Sequence, residues 1–388
     1  MKDESSNISR RDFLVNTAIS GAGVVIADRA VNSYLMAATS KAATQTIIGV
    51  PFEPRERVRL GIIGVGGRGT SLLNDLLSVD GVDVKAICDL VPEKVEHAQK
   101  MVTDAGQPKP TGFSKGDWDF KNLNQLDLDI VYVATPWNWH VPMAVDTMKN
   151  GKHVAVEVPA ATSLQECWDL VNTSEATRKH CMILENCCYG SSEMMVLQMV
   201  RDGAFGEITH GEAAYLHDLR SIVTANSEKY ICGDMNTSVI KTMKGRTILL
   251  QHDVVNPRPY SRLNMIQGTK GIFADYPPRV FMDGQNDEEW QKIDSFLEKY
   301  EHPLWKQNGE MARKTGGHGG MDYIMNFRLM DCLKRGLPPD IDVYDAAAWS
   351  APTPLSEASV KANGAPQKFP DFTHDQWNGR AGVEKFGG

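Results

Sequence analysis

Apolar residues in the first half of the chain form short continuous runs that alternate with stretches of helical periodicity. Five such runs occur, at 58–63, 82–88, 129–134, 153–156 and 181–184. Their length and composition are typical of strands buried on both faces of a parallel sheet. Helices are predicted over 70–79, 141–149 and 163–172, and Ser163 with Glu166 has the spacing of a capping box. This alternation predicts an α/β domain over residues 56–187.

The second half of the chain has a different pattern, which predicts a second domain over residues 188–388. Strands are predicted at 207–217, 237–243, 247–255 and 262–268. The Lys-Gly-Arg sequence at 244–246 is typical of a turn, so the strands on either side of it should form an antiparallel hairpin. Residues 321–335 place methionine, leucine and cysteine on one helical face, and Gly336 ends that helix.

The first predicted strand continues directly into a glycine-rich loop with GxGxxG spacing, formed by Gly64, Gly66, Gly67, Arg68 and Gly69. Glycines allow the chain to turn tightly off the strand, to approach a pyrophosphate with its backbone, and to seat the next helix closely on the sheet. The spacing alone would also fit an ordinary glycine-rich turn.

An aspartate after the second strand favours dinucleotide binding over that alternative. Asp89 lies twenty residues after Gly69, at the position where a carboxylate contacts the ribose hydroxyls of adenosine. Its negative charge opposes the extra phosphate of NADP, so the predicted cofactor is NAD. Arg68 leaves NADP open, because its guanidinium could accept that phosphate or could equally contact the pyrophosphate.

Polar and aromatic side chains follow the later strands, where ligands bind in open α/β sheets. Trp137, Trp139 and His140 follow the third run, Glu157 follows the fourth and Asn186 follows the fifth. Each residue taken singly also fits a packing or structural role. Their common position at the ends of the strands predicts one ligand site.

Composition narrows the classes of ligand. The 388 residues are 42% hydrophobic and 23% charged, which is ordinary globular usage and enough for two domains. The net charge of −8 comes without any basic run, so binding to nucleic acid or to anionic lipid is not expected. Seven cysteines without CxxC spacing and dispersed histidines indicate neither a disulfide framework nor a metal site. A small-molecule ligand is therefore predicted.

The first 45 residues are predicted to be an export signal and linker. Ser9-Arg10-Arg11-Asp12-Phe13-Leu14 and the apolar stretch 15–26 match the twin-arginine pattern, although a disordered N-terminus would also accommodate an arginine pair. Asp28 and Arg29 keep the apolar region shorter than a membrane span, so no span is expected in the mature protein. The predicted location is periplasmic or in the cell envelope.

Six motifs in order along the chain resemble glycoside hydrolase family 109, a branch of the Gfo/Idh/MocA oxidoreductases. They are Pro136-Trp137-Asn138-Trp139-His140, Glu157-Val158-Pro159, Glu185-Asn186-Cys187-Cys188-Tyr189, Tyr215-Leu216-His217-Asp218-Leu219-Arg220, Arg258-Pro259-Tyr260 and Gly316-Gly317-His318-Gly319-Gly320-Met321-Asp322. Family members are NAD-dependent α-N-acetylgalactosaminidases. The resemblance implies a Rossmann domain followed by an α+β domain with an open, mainly antiparallel sheet.

The resemblance also implies functional residues. NAD contacts are expected at Gly67, Arg68, Asp89, Trp137, Asn138, Trp139, His140, Glu157, Val158 and Asn186. Sugar contacts are expected at Tyr215 and Tyr260, and the candidate catalytic groups are Tyr189, His217 and Glu157. The implied chemistry is oxidation of the sugar C3 hydroxyl by bound NAD, removal of the C2 proton, elimination of the glycosidic oxygen, addition of water and return of the hydride.

Two departures affect this interpretation. Most members of the wider superfamily have lysine in the middle of Glu-x-Pro, and Val158 here argues against simple dehydrogenase chemistry. The chain also lacks a family segment containing Tyr-Pro-Thr-His, and the second domain is predicted to be shortened between 221 and 233. A sugar or polyol oxidoreductase and a catalytically impaired sugar-binding homologue therefore stay open as alternatives, as does a homo-oligomer.

Overall fold

The computed structural model describes residues 45–221, 234–284 and 289–377. The predicted export signal lies outside the described residues except for Gln45, and so do Cys232 and nearly all of the predicted shortening at 221–233. Within the described residues, no helix has the length and apolar character needed to cross a membrane.

The first sheet is a six-stranded parallel sheet with the strand order β3-β2-β1-β4-β5-β6. Its strands are β1 Val58–Ile63, β2 Val82–Cys88, β3 Thr111–Phe113, β4 Ile130–Val133, β5 His153–Val156 and β6 Cys181–Ile183. Its helices are α1 Gly67–Leu77, α2 Pro92–Asp104, α3 Phe120–Leu123, α4 His140–Lys149 and α5 Leu164–Thr177. This order is that of a doubly wound dinucleotide-binding fold, and it confirms the predicted α/β class.

The continuous apolar runs form central strands because helices cover both faces of the sheet. Every residue of β4 is buried, and β1 is buried except for Arg59. The predicted capping box is present at α5: the Ser163 hydroxyl accepts from the backbone N–H of Glu166, and the Glu166 carboxylate accepts from the backbone N–H of Ser163. That helix extends five residues beyond the predicted end, to Thr177.

The second sheet has seven strands in the order β13-β12-β11-β10-β7-β9-β8. They are β7 Ile208–Leu216, β8 Asn236–Lys241, β9 Thr247–Asp253, β10 Met265–Gly268, β11 Gly271–Ala274, β12 Arg279–Met282 and β13 Gln291–Lys292. Strands β8 and β9 form the predicted antiparallel hairpin. The pairing of β7 with β9 is parallel and the other described pairings are antiparallel, so the mainly antiparallel sheet is confirmed.

The predicted strand 262–268 begins three residues later than expected. Leu263 and Asn264 have φ angles of 56° and 44°, in the left-handed region, where a strand cannot continue. The pairing with β7 therefore starts at Met265. This kinked segment follows Tyr260 and brings Arg262 next to the second sheet's aromatic residues.

Five described α-helices follow the second sheet. They are α7 Asp294–Tyr300, α8 Pro303–Thr315, α9 Met321–Arg335, α10 Val343–Ser350 and α11 Pro352–Lys361, while α6 Ser191–Arg201 precedes the sheet. Side chains of α8, α9 and α10 lie in the same hydrophobic core as β1 and β4, whereas α6 packs in a separate core with Phe273 and Val280. The domain predicted over 188–388 thus contains a segment whose core is that of the nucleotide-binding domain.

Candidate active site

The glycine loop after β1 is packed so tightly that two of its positions admit no side chain. Gly64 has a φ of 86°, and a Cβ there would lie 2.5 Å from the Ala134 carbonyl oxygen. A Cβ on Gly69 would lie 1.9 Å from the Gly64 carbonyl oxygen. Positions 66 and 67, in contrast, face open space. The loop therefore leaves its backbone accessible at the start of α1.

The start of α1 fits the pyrophosphate of a dinucleotide. Gly66 is extended, and no side chain of the described residues caps the helix at Gly67. The first backbone N–H groups of a helix have no intrahelical acceptor and lie at its positive end, which suits an anionic group. Asp89 supports this loop, because its Oδ2 accepts from the backbone N–H of Val65 at 2.9 Å. The half-exposed carboxylate retains lone pairs for ribose hydroxyls.

Arg68 connects the glycine loop to two buried carboxylates. Its Nη1 and Nη2 donate to Asp322 at 2.7 and 3.1 Å, and its Nε donates to Glu157 at 2.6 Å. Burial would lower the pKa of Arg68, but hydrogen bonds and charge from Asp322 and Glu157 hold that pKa above its ordinary value. The guanidinium is thus a fixed cation beside the pyrophosphate position.

Asp322 joins two further residues to Arg68, and sequence reasoning named it only within the motif at 316–322, without a role. It is fully buried, and in addition to Arg68 it accepts from Asn186 Nδ2 at 2.6 Å and contacts His318 Nδ1 at 2.7 Å. Burial raises its pKa, but the Arg68, His318 and Asn186 contacts bring the pKa below the ordinary value. Its position could have indicated a role, because Asp322 lies in the first turn of α9, directly after the glycine-rich run 316–320.

Glu157 and Val158 lie at the end of β5 beside this cluster. Glu157 is 7% exposed, and burial raises its pKa despite the neighbouring Arg68. Its Oε2 accepts from the Val158 N–H at 3.2 Å. Val158 is 38% exposed and presents an apolar side chain where a lysine would place an ammonium group. The catalytic role expected for Glu157 stays a prediction, with its carboxylate held by Arg68.

The segment 137–140 divides into exposed and buried members. Trp137 is 62% exposed and Asn138 is exposed, so both are accessible to a ligand. Trp139 packs edge-on against Trp118 and Phe120. His140 is buried, and its two ring nitrogens face the carbonyl oxygens of Pro159 and Thr135 at 2.7 and 2.8 Å. Both ring nitrogens thus hold strand-end loops together, and the NAD contact expected for His140 stays a prediction.

An aromatic cluster lies at the end of β7 and β9. The Tyr215 hydroxyl and His217 Nδ1 are 3.1 Å apart, and the Tyr260 ring lies 5.0 Å from the His217 ring. Tyr215 also stacks with His252, its neighbour across the two strands. Tyr215 and Tyr260 are each 41% exposed. The three residues expected to contact or transform the sugar are thus brought together.

This cluster adjoins the loop that carries Asn186. Burial raises the pKa of Tyr215, and the Cys187 side chain adds to that effect. Burial also raises the pKa of Tyr260 to about 12, with a smaller contribution from Cys187. Cys187 follows Asn186 directly, so one short loop carries both the residue bonded to Asp322 and a residue near the aromatic cluster. An exposed aromatic face beside polar hydrogen-bonding groups suits a sugar ring.

Tyr189 is buried, unlike the exposed tyrosines of the aromatic cluster. Its side chain is 3% exposed and lies in the main hydrophobic core. Burial raises its pKa well above the ordinary value, with further contributions from Asp340 and Cys332. The catalytic role expected for Tyr189 stays a prediction, and it would require the buried hydroxyl to become accessible to the sugar.

No metal cluster is present among the residues that the structure describes, and the six cysteines within those residues are free thiols. NAD fits the site without a metal, because the glycine loop, Asp89 and Arg68 supply the open backbone, the carboxylate and the cation that a dinucleotide requires.

Solved structures share this architecture. Levoglucosan dehydrogenase in complex with NADH and levoglucosan aligns with a TM-score of 0.64 and 16% identity, over 81% of this chain and all of that one. The WlbA dehydrogenase of Bordetella pertussis, in complex with NADH and UDP-GlcNAcA, aligns with a TM-score of 0.60 and 15% identity, over 81% of this chain and all of that one. At these identities the likeness concerns the fold.

Sequence comparison is more specific. Residues 58–185 match the NAD-binding Rossmann fold of the GFO_IDH_MocA oxidoreductase family, and NAD is the cofactor. Residues 189–230 and 224–379 match the C-terminal domain of glycosyl hydrolase 109. A family 109 protein of Solibacter usitatus (strain Ellin6076) is 46% identical over 97% of this chain and 99% of its own length. Another, from Saccharopolyspora erythraea, is 42% identical over 97% of this chain and 96% of its own length. The chain belongs to glycosyl hydrolase family 109.

Proposed function

We propose that the protein is an NAD-dependent glycosidase that releases terminal α-linked N-acetylgalactosamine. The observation that carries the proposal is the Tyr215–His217 couple, 3.1 Å from hydroxyl to ring nitrogen. This couple lies in an exposed aromatic cluster near Cys187, the residue that follows Asn186 of the Asp322 network. A sugar stacked on these rings lies beside the dinucleotide site. Family membership supplies the substrate class, and the aromatic cluster supplies a surface that suits it.

Bound NAD supplies a reversible hydride acceptor, which permits transient oxidation at C3 of the sugar and acidifies the proton at C2. The chain's own contribution is proton transfer and positioning. His217 is the half-buried group that can take a proton, and the Tyr215 hydroxyl orients its ring through Nδ1. Tyr260 closes the other side of the same pocket through its ring contact with His217.

Val158 favours this chemistry over that of a sugar or polyol oxidoreductase. Its apolar side chain offers no proton donor beside Glu157, at the position where most superfamily members have lysine. A net oxidoreductase would also consume cofactor in proportion to substrate, whereas the glycosidase recycles it.

The test is hydrolysis of p-nitrophenyl α-N-acetylgalactosaminide by protein purified without added cofactor, with bound NAD measured in the same preparation. Release of nitrophenol with bound NAD, lost in His217→Ala and kept in His210→Ala, supports the proposal. His210 is a suitable control because it lies on β7, the strand that ends directly before His217, and is half-buried against Thr247. Reduction of external NAD in proportion to substrate would instead favour the oxidoreductase.

A catalytically impaired homologue is the second candidate, because the chain is shorter than its relatives. The alignment with the Solibacter protein spans 445 positions, and since the chain has only 388 residues, at least 57 of them have no residue here. The two stretches that match the family's C-terminal domain meet within 224–230, which supports the predicted shortening at 221–233. Bound NAD with no release of nitrophenol from any α-linked N-acetylgalactosaminide would favour this candidate.

Export by the twin-arginine route belongs to the same proposal, and Arg10-Arg11 within 1–45 supports it. Replacement of both arginines by lysine should retain the protein in the cytoplasm of the producing bacterium. Cell fractionation measures this, and an unchanged periplasmic fraction would contradict the export proposal while leaving the glycosidase proposal intact.

A further inference from the structure

Asp75, near the end of α1, is a buried acid, and one of its carboxyl oxygens lacks a hydrogen bond within the described residues. The residue is 1% exposed, and its Oδ2 has no hydrogen-bond partner among the described residues. A buried carboxylate without partners is strongly unfavourable, so such a group either shifts its ionisation or serves a specific purpose. Sequence analysis gave Asp75 no role.

Gly317 brings Asp75 together with Asp322. A Cβ on Gly317 would lie 2.9 Å from Asp322 Oδ2 and 3.0 Å from Asp75 Oδ2, so the two carboxyl groups approach the same point of the backbone. No side chain fits between them. The glycine-rich run before α9 therefore permits a close pair of acids, one from α1 and one from α9.

The two acids differ in the number of hydrogen bonds that their carboxyl groups receive. Asp322 receives two hydrogen bonds from Arg68, one from Asn186 and a contact from His318. Two like charges at one buried site cannot both ionise easily, so the proton resides on the member with fewer partners, which is Asp75. Burial, followed by the charge of Asp322, raises the pKa of Asp75 to about 7.

We propose that Asp75 is a positioning residue of the dinucleotide site that acts in its neutral form, and that loss of its proton weakens NAD binding. A second negative charge beside Asp322 would repel the residue that holds both Arg68 and Asn186. It would also add to the negative potential met by an anionic pyrophosphate, and both effects oppose binding. The inference concerns the cofactor alone and holds whether or not the protein is a glycosidase.

Among the described residues, five other ionisable groups face Asp75, and the effect of pH on their charge can be told apart from its effect on Asp75. They are Asp322, Arg68, His318, Tyr132 and Tyr323. Burial raises the pKa values of both tyrosines, so they stay neutral near pH 7, and Arg68 stays charged. His318, whose side chain is 62% exposed, is the other group of a type that titrates between pH 5 and 8. Any test must separate His318 from Asp75.

The experiment is calorimetric titration of the full chain with NAD between pH 6 and pH 8.5. Wild-type affinity should fall about fivefold or more across this range, in line with ordinary coupling between two sites. Asp75→Asn, which mimics the neutral acid in shape, should keep the wild-type affinity of pH 6 at every pH. His318→Gln and the exposed control Asp80→Asn should retain the wild-type decline, since the Asp80 side chain is 98% exposed.

Proton uptake on NAD binding can also be measured with the wild-type protein alone. If the neutral acid binds NAD better, binding to wild type near pH 8 must take up protons, which titrations in buffers of different ionisation enthalpy detect. Absence of proton uptake would overturn the proposal. So would an unchanged pH decline in Asp75→Asn, a uniform loss of affinity in that variant, or abolition of the decline by His318→Gln.

Discussion

Arg68 and Asp322 lie 254 positions apart in the chain, yet two guanidinium nitrogens of Arg68 donate to the Asp322 carboxylate at 2.7 and 3.1 Å. The contact joins the start of α1 to the start of α9. It therefore makes the cofactor loop depend on a helix from the far end of the chain.

Replacement of Arg68 by methionine should destabilise the protein by roughly 3–5 kcal/mol, the usual cost of leaving a buried charge without its partner. The reason is that Asp322 is 0% exposed and Glu157 is 7% exposed, and both would lose their cation. Chemical denaturation measures the change, and NAD affinity should fall in the same variant. Arg57→Met is the control, because its pair with Asp83 is at the surface and should show no resolvable effect.

Sequence patterns predicted the parts of this site that depend on local signals. Strand β1, the glycine loop and Asp89 follow from apolar runs and from the φ and packing demands of Gly64 and Gly69. Asp322 was given no role, because the contact that defines it comes from Arg68 in a distant segment. The burial of Tyr189 was not predictable either, because it depends on the core beside α9. The late start of β10 was hidden because nothing in the sequence around Leu263 requires a left-handed residue.

Alanine at Gly69 and alanine at Gly67 should differ in their effect on the fold. Gly69→Ala places a methyl group 1.9 Å from the Gly64 carbonyl oxygen, so it should lower the melting temperature and abolish NAD binding. Gly67→Ala faces open space in the first turn of α1, so the fold should be retained while NAD affinity falls if the pyrophosphate approaches that backbone. Thermal unfolding and fluorescence titration check both variants. Equal melting temperatures for the two would refute the packing argument.

Acid should destabilise the protein through buried histidines. Burial lowers the pKa of His180 to about 4, from an ordinary value of 6.5. Between pH 6.5 and pH 4 the unfolded chain binds a proton at His180, whereas the native state does not. The free energy of unfolding is therefore unaffected by this residue above pH 6.5 and decreases as the pH falls toward 4. His180→Gln should lose about 2 kcal/mol less than wild type between pH 7 and pH 5.

His97→Gln serves as the control for that measurement, because His97 is exposed on α2 and its replacement should leave the pH dependence of unfolding unchanged. Urea denaturation at the two pH values gives the free energies. If His180→Gln and His97→Gln behaved alike, the buried ring would not be the source of the acid sensitivity.

The Tyr215 side chain should contribute to turnover in two separable ways. Its hydroxyl lies 3.1 Å from His217 Nδ1, and the residue is 41% exposed. Tyr215→Phe removes only the hydrogen bond, so kcat should fall roughly fivefold to tenfold, as expected for a bond worth about 1 kcal/mol. Tyr215→Ala also removes the stacking surface, so KM should rise in that variant and not in Tyr215→Phe.

Steady-state kinetics on the p-nitrophenyl glycoside resolves the two contributions, with Tyr300→Phe on α7 as a tyrosine outside the aromatic cluster. NAD content should stay unchanged in all three variants, because Tyr215 lies on β7 of the second sheet, whereas the glycine loop and Asp89 belong to the first domain. A KM that rises equally in Tyr215→Phe and Tyr215→Ala would mean that the hydroxyl binds the sugar directly. In that case the assignment of His217 as the group oriented by Tyr215 would fail.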